Sequence, residues 1–156
     1  MRIPFLLLLA GTQLTVPRVS SAQPTADTLP ERVVAQAYKA YNRADADGYY
    51  SFFAPVWYHS VLEDTAGSPT RHTREEEIRD LSRLFEAAGV DKPKVRALRR
   101  AVLGPYVVDE QAFVHLGERG AMEVLVHFDM FEVRRGKIVH EWESGPWRTA
   151  KVKPTR

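Results

Sequence analysis

Helical periodicity is confined to the first ninety residues of this chain, and the apolar patterns after Lys94 are typical of strands. Val34, Ala37 and Tyr41 recur at helical spacing, whereas the residues of segment 122–130 alternate between two faces. The chain has 156 residues, which is room for one domain rather than two. Helices followed by a run of antiparallel strands predict an α+β fold.

Two capping boxes predict where the longer helices begin. Thr28 with Glu31 precedes the first helix, and Thr73 with Glu76 precedes the third, which we expect to end at Gly89. A short second helix is expected between them. The strands are expected at 56–63, 95–103, 106–108, 111–116, 121–133 and 137–143, with residues 109–110 as a turn.

The N-terminus has the pattern of an export signal. Arg2 precedes an apolar stretch that is too short to span a bilayer, and small residues precede Gln23. The sequence therefore predicts cleavage near Ala22 and Gln23 and a secreted or periplasmic protein without a membrane anchor. The expected organisation is a signal peptide at 1–22, a leader at 23–30, a domain at 31–145 and a tail at 146–156.

Charge and composition exclude several functional classes. The chain has no cysteine, which excludes a disulfide scaffold, a thiolate metal site and a cysteine nucleophile. Removing the signal peptide takes away Arg2 and Arg18, which leaves 20 basic and 20 acidic residues. The basic cluster from Lys92 to Arg100 is expected to be a solvated strand face. We expect no nucleic-acid partner, because binding would need a broader basic surface.

The last hairpin brings acidic residues together. A three-residue loop at 134–136 would place Gly136 at the left-handed position, where glycine costs least. This register pairs Asp129 with Glu141 and His127 with Glu143, each pair on one face. If that face is interior, burial and the facing carboxylate raise the pKa of Asp129. The alternative is a wet face on which both carboxylates stay ionised.

Several segments resemble one known superfamily. The chain resembles SnoaL-like polyketide cyclases at residues 126–133, 136–139 and 141–142 and, nearer the front, at residues 40–43, 45, 47–48 and 53–55. These cyclases belong to the nuclear transport factor 2-like superfamily, together with the ketosteroid isomerases. The resemblance implies a cone-shaped, curved antiparallel sheet packed on about three helices (a cystatin-like roll) around a mostly apolar pocket.

The resemblance also implies roles for individual residues. Asp129 lies where the cyclases have an acid–base aspartate and where the isomerases have an oxyanion-hole aspartic acid. The isomerases' general base corresponds to Val61 and their helix tyrosine to Ala37, with Tyr38 one residue away. The outer face of the Met122–Met130 segment would form a homodimer. No cofactor is expected.

The sequence therefore predicts an exported acid/base enzyme that binds a small apolar carbonyl compound, as an isomerase, cyclase or dehydratase. The alternative is a non-catalytic ligand-binding or dimerisation module of the same fold. The direction of His115 is open, and no metal is expected, because the histidines lack short ligand spacing. The candidate catalytic residues are Asp129, Glu141, His59 and His127, and the candidate substrate-binding residues are Tyr41, Trp57, Val61, Phe53 and Phe131.

Overall fold

A computed structural model of the protein describes residues 29–64, 66–116, 122–144 and 148–151. The predicted signal peptide and nearly all of the predicted leader lie outside these residues and stay predictions. None of the helices within the described ranges is long and apolar enough to cross a membrane.

Three helices and seven strands are formed by the described residues. The helices are α1 (Pro30–Asn42), α2 (Ala46–Tyr50) and α3 (Arg74–Ala87). The strands are β1 (Phe53–Val61), β2 (Thr70–Thr73), β3 (Lys94–Leu103), β4 (Tyr106–Leu116), β5 (Met122–Arg134), β6 (Lys137–Glu143) and β7 (Arg148–Lys151). The predicted α+β fold, with three helices before most of the strands, is confirmed.

The strands form one curved, unclosed sheet in the order β2-β1-β6-β5-β4-β3. Every pair is antiparallel except β1 with β6, which is parallel, so the expectation of a purely antiparallel sheet is wrong there. The short β7 pairs with β5 within the segment predicted as a tail. Register shifts in three of the strand pairs add twist, which bends the sheet around the helices.

The core fills the space between the helices and the inner face of the sheet. Val34 and Ala37 of α1 meet Phe53, Phe131 and Ile138 of the sheet, and each of the five is buried. The helix ends follow local signals. Asp45 accepts the backbone N–H of Gly48 as the cap of α2, and Gly89 has a φ of 57° just after α3.

The two predicted capping boxes have different outcomes. Leu29 directly precedes α1, and Thr28 lies outside the described residues, so the first box stays a prediction. Thr73 does precede α3, as predicted, but its hydroxyl donates to the Glu76 carboxylate instead of accepting a backbone N–H.

The closing hairpin has a two-residue turn, so the predicted three-residue loop is wrong. Arg135 and Gly136 both have positive φ, at 52° and 72°, as a type I′ turn requires. This turn matches the right-handed twist of the strands, which outweighs the cost of a left-handed arginine.

A β-bulge follows the turn and changes the partner of Asp129. Val133 pairs with Ile138, but Glu132 pairs with His140, so β6 contains one extra residue. Asp129 therefore pairs with Glu143, and Glu141 pairs with Phe131. The predicted pairing of Asp129 with Glu141 is wrong by two residues. Both glutamates still share the inner face with Asp129.

A buried ion pair joins β3 to β4 where the sequence predicted a turn and a solvated cluster. Asp109 is fully buried inside the continuous strand β4. Arg100 donates to both of its oxygens, at 2.7 and 2.6 Å. The same guanidinium donates to the backbone carbonyl oxygen of Glu31 at 3.0 Å, and this hydrogen bond links α1 to the sheet. Arg100 is therefore a structural residue, in contrast to the expected solvated face.

We expect Arg100→Met to lower the free energy of unfolding by about 3–5 kcal/mol, because it leaves a buried carboxylate without its partner. Urea unfolding measures this loss. The matched control is Arg99→Met, since Arg99 pairs with Glu110 but its side chain is 86% exposed, and it should cost less than about 1 kcal/mol. Equal losses in the two variants would contradict the structural role of Arg100.

Candidate functional site

Four charged residues lie on one rung of the sheet. Arg100 pairs with Asp109, Asp109 with Asp129, and Asp129 with Glu143, across four neighbouring strands. Directly opposed residues share a face of the sheet, and this rung points toward the helices. Three carboxyl groups thus lie side by side on the inner face of the sheet, and Arg100 neutralises that of Asp109.

A cavity of about 170 Å³ lies between this rung and the helices. Its aromatic lining residues are Tyr38, Tyr41, Tyr49, Phe113 and Phe131, and its polar ones are Gln111, His127, Asp129, Glu141 and Glu143, with Val95 completing the wall. The helices therefore contribute only tyrosines to the lining, and the sheet contributes both apolar and acidic side chains.

Asp129 is the buried carboxyl at the centre of the rung. Only 2% of the residue is exposed, and its Oδ1 oxygen is buried without a hydrogen-bond partner. Loss of hydration, followed by repulsion from Glu143 and Asp109, raises its pKa to about 8. The pKa of Glu141 is raised as well, by burial and by Asp129. Near neutral pH, Asp129 therefore retains a proton that it can donate into the cavity.

Glu143 stands across from Asp129 in a different environment. His59 Nε2 lies 3.3 Å from Glu143 Oε2, and this contact raises the pKa of His59. The other oxygen of Glu143, Oε1, is buried without a hydrogen-bond partner. Glu143 thus presents an acceptor to the cavity while a histidine holds its other oxygen.

His127 is the next inward-facing residue of β5 after Asp129, on the side of the cavity nearer Phe113. Its Nε2 is 2.7 Å from the side-chain nitrogen of Gln111, the residue directly opposite on β4, and 3.3 Å from Asp129 Oδ1. Burial lowers the pKa of His127. A neutral imidazole beside a protonated carboxyl keeps this part of the cavity uncharged.

Tyr38 brings a second donor to the cavity. Its hydroxyl is buried next to Asp109, and burial, with the charges of Asp109 and Asp129, raises its pKa. The resemblance placed the isomerases' tyrosine at Ala37, but Ala37 packs in the core and Tyr38 lines the cavity.

Five of the nine sequence-predicted site residues line the cavity: Tyr41, His127, Asp129, Phe131 and Glu141. His59 reaches it through Glu143. The other three, Phe53, Trp57 and Val61, do not line it. The rings of Phe53 and Trp57 pack in the core with 4.8 Å between their centroids. Val61, at the end of β1, is 45% exposed. The roles assigned to these residues stay predictions.

Three acidic or amide residues of the site or its support were not among the predicted site residues. Gln111 and Glu143 line the cavity, and Asp109 neighbours it. The one signal for Glu143 was its expected pairing with His127, which used the wrong register. His115 lies on the inner side of β4, beside Phe113, at 5.7 Å between ring centroids. Among the described residues, no three histidine or acidic side chains are grouped as a metal site would require.

No protein-family profile and no curated relative matches this chain. Solved structures do match it. A cystatin-fold protein from Novosphingobium aromaticivorans has a TM-score of 0.60 at 15% identity, over 77% of this chain and 98% of that one. A proposed polyketide cyclase from Xanthomonas campestris pv. campestris has a TM-score of 0.58 at 21% identity, over 75% and 90%.

A third structure is an LEH-like epoxide hydrolase from M. tuberculosis, with a TM-score of 0.59 at 18% identity, over 80% of this chain and 84% of that one. Further matches include proteins described as NTF2-like and as ketosteroid isomerase-like. The chain has the nuclear transport factor 2-like fold. Because the sequence identities are low, these matches establish the fold alone, and the chemistry must be argued from the cavity.

We expect the Asp129→Asn variant to gain stability relative to the wild type as pH rises from about 5 to about 9. The folded state holds the Asp129 proton more tightly than the unfolded state, whose pKa is near 3.8. The wild type therefore loses stability as pH approaches the folded pKa, and the amide does not. Thermal unfolding against pH measures the difference. Asp80→Asn, at a side chain 64% exposed, is the control and should show no such trend.

Proposed function

We propose that this protein is an acid/base enzyme that moves a proton next to the carbonyl group of a small, mostly apolar compound. The observation that carries the proposal is Asp129, a buried carboxyl with a raised pKa and an unpartnered oxygen in an aromatic-lined cavity. Such a group stays protonated near neutral pH and donates a hydrogen bond to an oxygen that gains charge.

Two donors serve the carbonyl oxygen in this proposal. Asp129 and Tyr38 both line the cavity, Asp129 beside His127 and Tyr38 beside Asp109. Pre-oriented donors in a dry site stabilise an enolate oxygen more strongly in the transition state than a carbonyl oxygen in the ground state. His127 and Gln111, 2.7 Å apart, limit the positions that the oxygen can take.

Glu143 is the proposed general base. Its Oε1 is free to accept a proton from the carbon next to the carbonyl, and His59 holds the other oxygen in place. The electron pair of the broken C–H bond becomes the C=C bond of an enol or enolate, and the proton returns from Glu143 to the same or another carbon. Isomerisation, cyclisation and dehydration can all begin with this step.

The size of the cavity sets the scale of the reacting part of the substrate. An apolar cavity of about 150 Å³ holds benzene, and this cavity has about 170 Å³. The space next to Asp129 therefore fits a single ring or a branched group of similar size. A fused polycyclic compound would need a cavity several times larger.

A non-catalytic binding module with the same cavity is the alternative function. It shares the lining and the apolar ligand, and it differs only in lacking turnover. The two unpartnered oxygens on facing strands, one a donor and one an acceptor, favour catalysis, because ligand affinity alone does not require a buried acceptor opposite a buried acid.

Exchange of the α-hydrogens of acetophenone for deuterium in D₂O tests the proposal. We expect the protein to accelerate exchange, measured by proton NMR, and we expect Asp129→Asn and Glu143→Gln each to slow it about 100-fold or more. Asp80→Asn should keep the wild-type rate.

Calorimetric binding of the same ketone separates the two functions. Binding without accelerated exchange would support the binding module. If Asp129→Asn exchanged the ketone as fast as the wild type, the proposed acid would be wrong.

We also propose that the protein is exported and acts as a homodimer through the outer face of β5. Phe128 on this face is 51% exposed, and Val108 and Trp142 flank its neighbour Met130. Native mass spectrometry of the protein secreted from its own host is expected to give a dimer whose chains begin near Gln23. Phe128→Glu is expected to give monomers. A wild-type monomer would contradict the homodimer, and an uncleaved chain would contradict export.

A further inference from the structure

The cavity contains one carboxyl group that the proposed reaction does not use. Glu141 lines the cavity and shares the inner face of the sheet with Asp129 and Glu143. Within the described part of the chain, its side chain forms no hydrogen bond or ion pair. Its charge raises the pKa of Tyr38 on α1 and of Tyr49 on α2. Glu141 is therefore an inward-facing acid within electrostatic reach of tyrosines from two helices.

The charges around the cavity are unbalanced. Asp129, Glu141 and Glu143 all line it, and none of its described lining residues is a lysine or an arginine. The lining histidine, His127, has a pKa lowered by burial, so it is neutral near pH 7. Asp129 is 2% exposed, and its Oδ1 makes no hydrogen bond. The cavity therefore offers several acceptors for positive charge, while His59 contacts Glu143 alone.

Aromatic rings form the rest of the enclosure. Neighbouring rings meet edge to face, with 6.1 Å between the centroids of Tyr38 and Phe131 and 5.4 Å between those of Tyr41 and Tyr49. Aromatic faces attract cations, most strongly where water is excluded, and cages of such rings recognise quaternary ammonium groups. A small metal ion holds its water more tightly, so this lining favours an organic cation.

We propose that the cavity binds a small alkylammonium ion, with the charged nitrogen near the Glu141 carboxylate and the alkyl groups against the tyrosine rings. The size is suitable, because an apolar cavity of about 150 Å³ holds benzene, this one has about 170 Å³, and tetramethylammonium has fewer heavy atoms than benzene. This binding function does not rest on the proposed reaction, although the two ligands would compete for one space.

Binding of a permanent cation is expected to displace a proton from the cavity. Burial and mutual repulsion keep Asp129 and Glu141 protonated near neutral pH, and a bound cation favours their ionised forms. The affinity for the cation therefore rises with pH, by about tenfold per pH unit below the Asp129 pKa of about 8. The titratable or charged groups around these two carboxyls are Tyr38 on α1, Tyr49 on α2, His59 on β1, Glu77 on α3, Arg100 on β3 through Asp109 on β4, His127 on β5 and Glu143 on β6.

Tetramethylammonium and tert-butanol are matched probes for this inference. They have the same number of heavy atoms and a similar compact shape, and only the first is charged. Calorimetry on the full chain at pH 6, 7 and 8, at constant ionic strength, gives both affinities. We expect the affinity for tetramethylammonium to rise about tenfold or more over this range, and the affinity for tert-butanol not to rise. Repeating the titration in buffers of different ionisation enthalpy measures the released proton.

Two matched glutamate variants locate the charge that binds the cation. Glu141→Gln keeps the shape of the side chain, and we expect it to lower the affinity for tetramethylammonium at pH 8 about tenfold or more. The affinity for tert-butanol should stay at its wild-type value. Glu110→Gln makes the same change on β4, where Glu110 pairs with Arg99 and does not line the cavity, and it should leave both affinities unchanged.

A pair of tyrosine variants tests the contribution of the rings. Tyr49→Phe keeps an aromatic face in the cavity, and Tyr49→Leu replaces it with an alkyl group. We expect Tyr49→Leu to weaken tetramethylammonium binding about fivefold or more and Tyr49→Phe to retain it. Equal weakening in the two variants would contradict the role of the ring.

The outcomes separate this inference from the proposed function. If tetramethylammonium binds no better than tert-butanol at pH 8, or if its affinity does not change with pH, the inference is wrong, and acetophenone exchange still decides the proposed function. If Glu141→Gln folds and binds the cation as the wild type does, the inference is also wrong. If the cation binds as expected and acetophenone is not exchanged, the inference stands and the proposed function fails. The pH dependence is measured on the wild type, so it decides the inference even if a variant does not fold.

Discussion

The cost of burying negative charge governs this structure. Asp109, Asp129 and Glu143 lie on one rung of the sheet, where three ionised carboxylates without partners would repel one another and lose their hydration. The fold meets this cost differently at each position. Arg100 binds Asp109 through two hydrogen bonds, and His59 contacts Glu143. Asp129, between them, has no cationic partner of comparable geometry, and burial raises its pKa.

The architecture and the chemistry therefore depend on one another. The Arg100–Asp109 pair joins β3, β4 and the first turn of α1, and that helix also carries Tyr38, which lines the cavity. A fold that neutralised all three carboxylates equally would have no acid to donate. The uneven distribution of partners along the rung gives neighbouring groups different proton affinities, which acid/base catalysis requires.

Local signals in the sequence predicted the order of most elements, and the resemblance to the nuclear transport factor 2-like superfamily implied an apolar pocket with Asp129 on its interior face. They could not predict the register of the last hairpin, because a bulge next to the turn moves Asp129 from Glu141 to Glu143. They also assigned Asp109 to a turn, since an acidic pair between two short apolar runs is typical of turns. Its partner Arg100 is nine residues away, on another strand. The pairing of two neighbouring strands, rather than the propensity of single residues, decides such positions.

The extra residue in β6 has a consequence for chain length. Ile138 and Glu141 both point inward although they are three positions apart, because one residue between them is accommodated in the bulge. Deleting Val139 would remove the bulge and restore an even alternation, with the later residues on the faces that they occupy now. Glu141 and Glu143 would stay opposite Phe131 and Asp129 on the inner face, and the stacked rings of His140 and Trp142, with 3.7 Å between their centroids, would stay on the outer face. Loss of that single codon would thus reduce the local bend of the strand and spare the acidic interior.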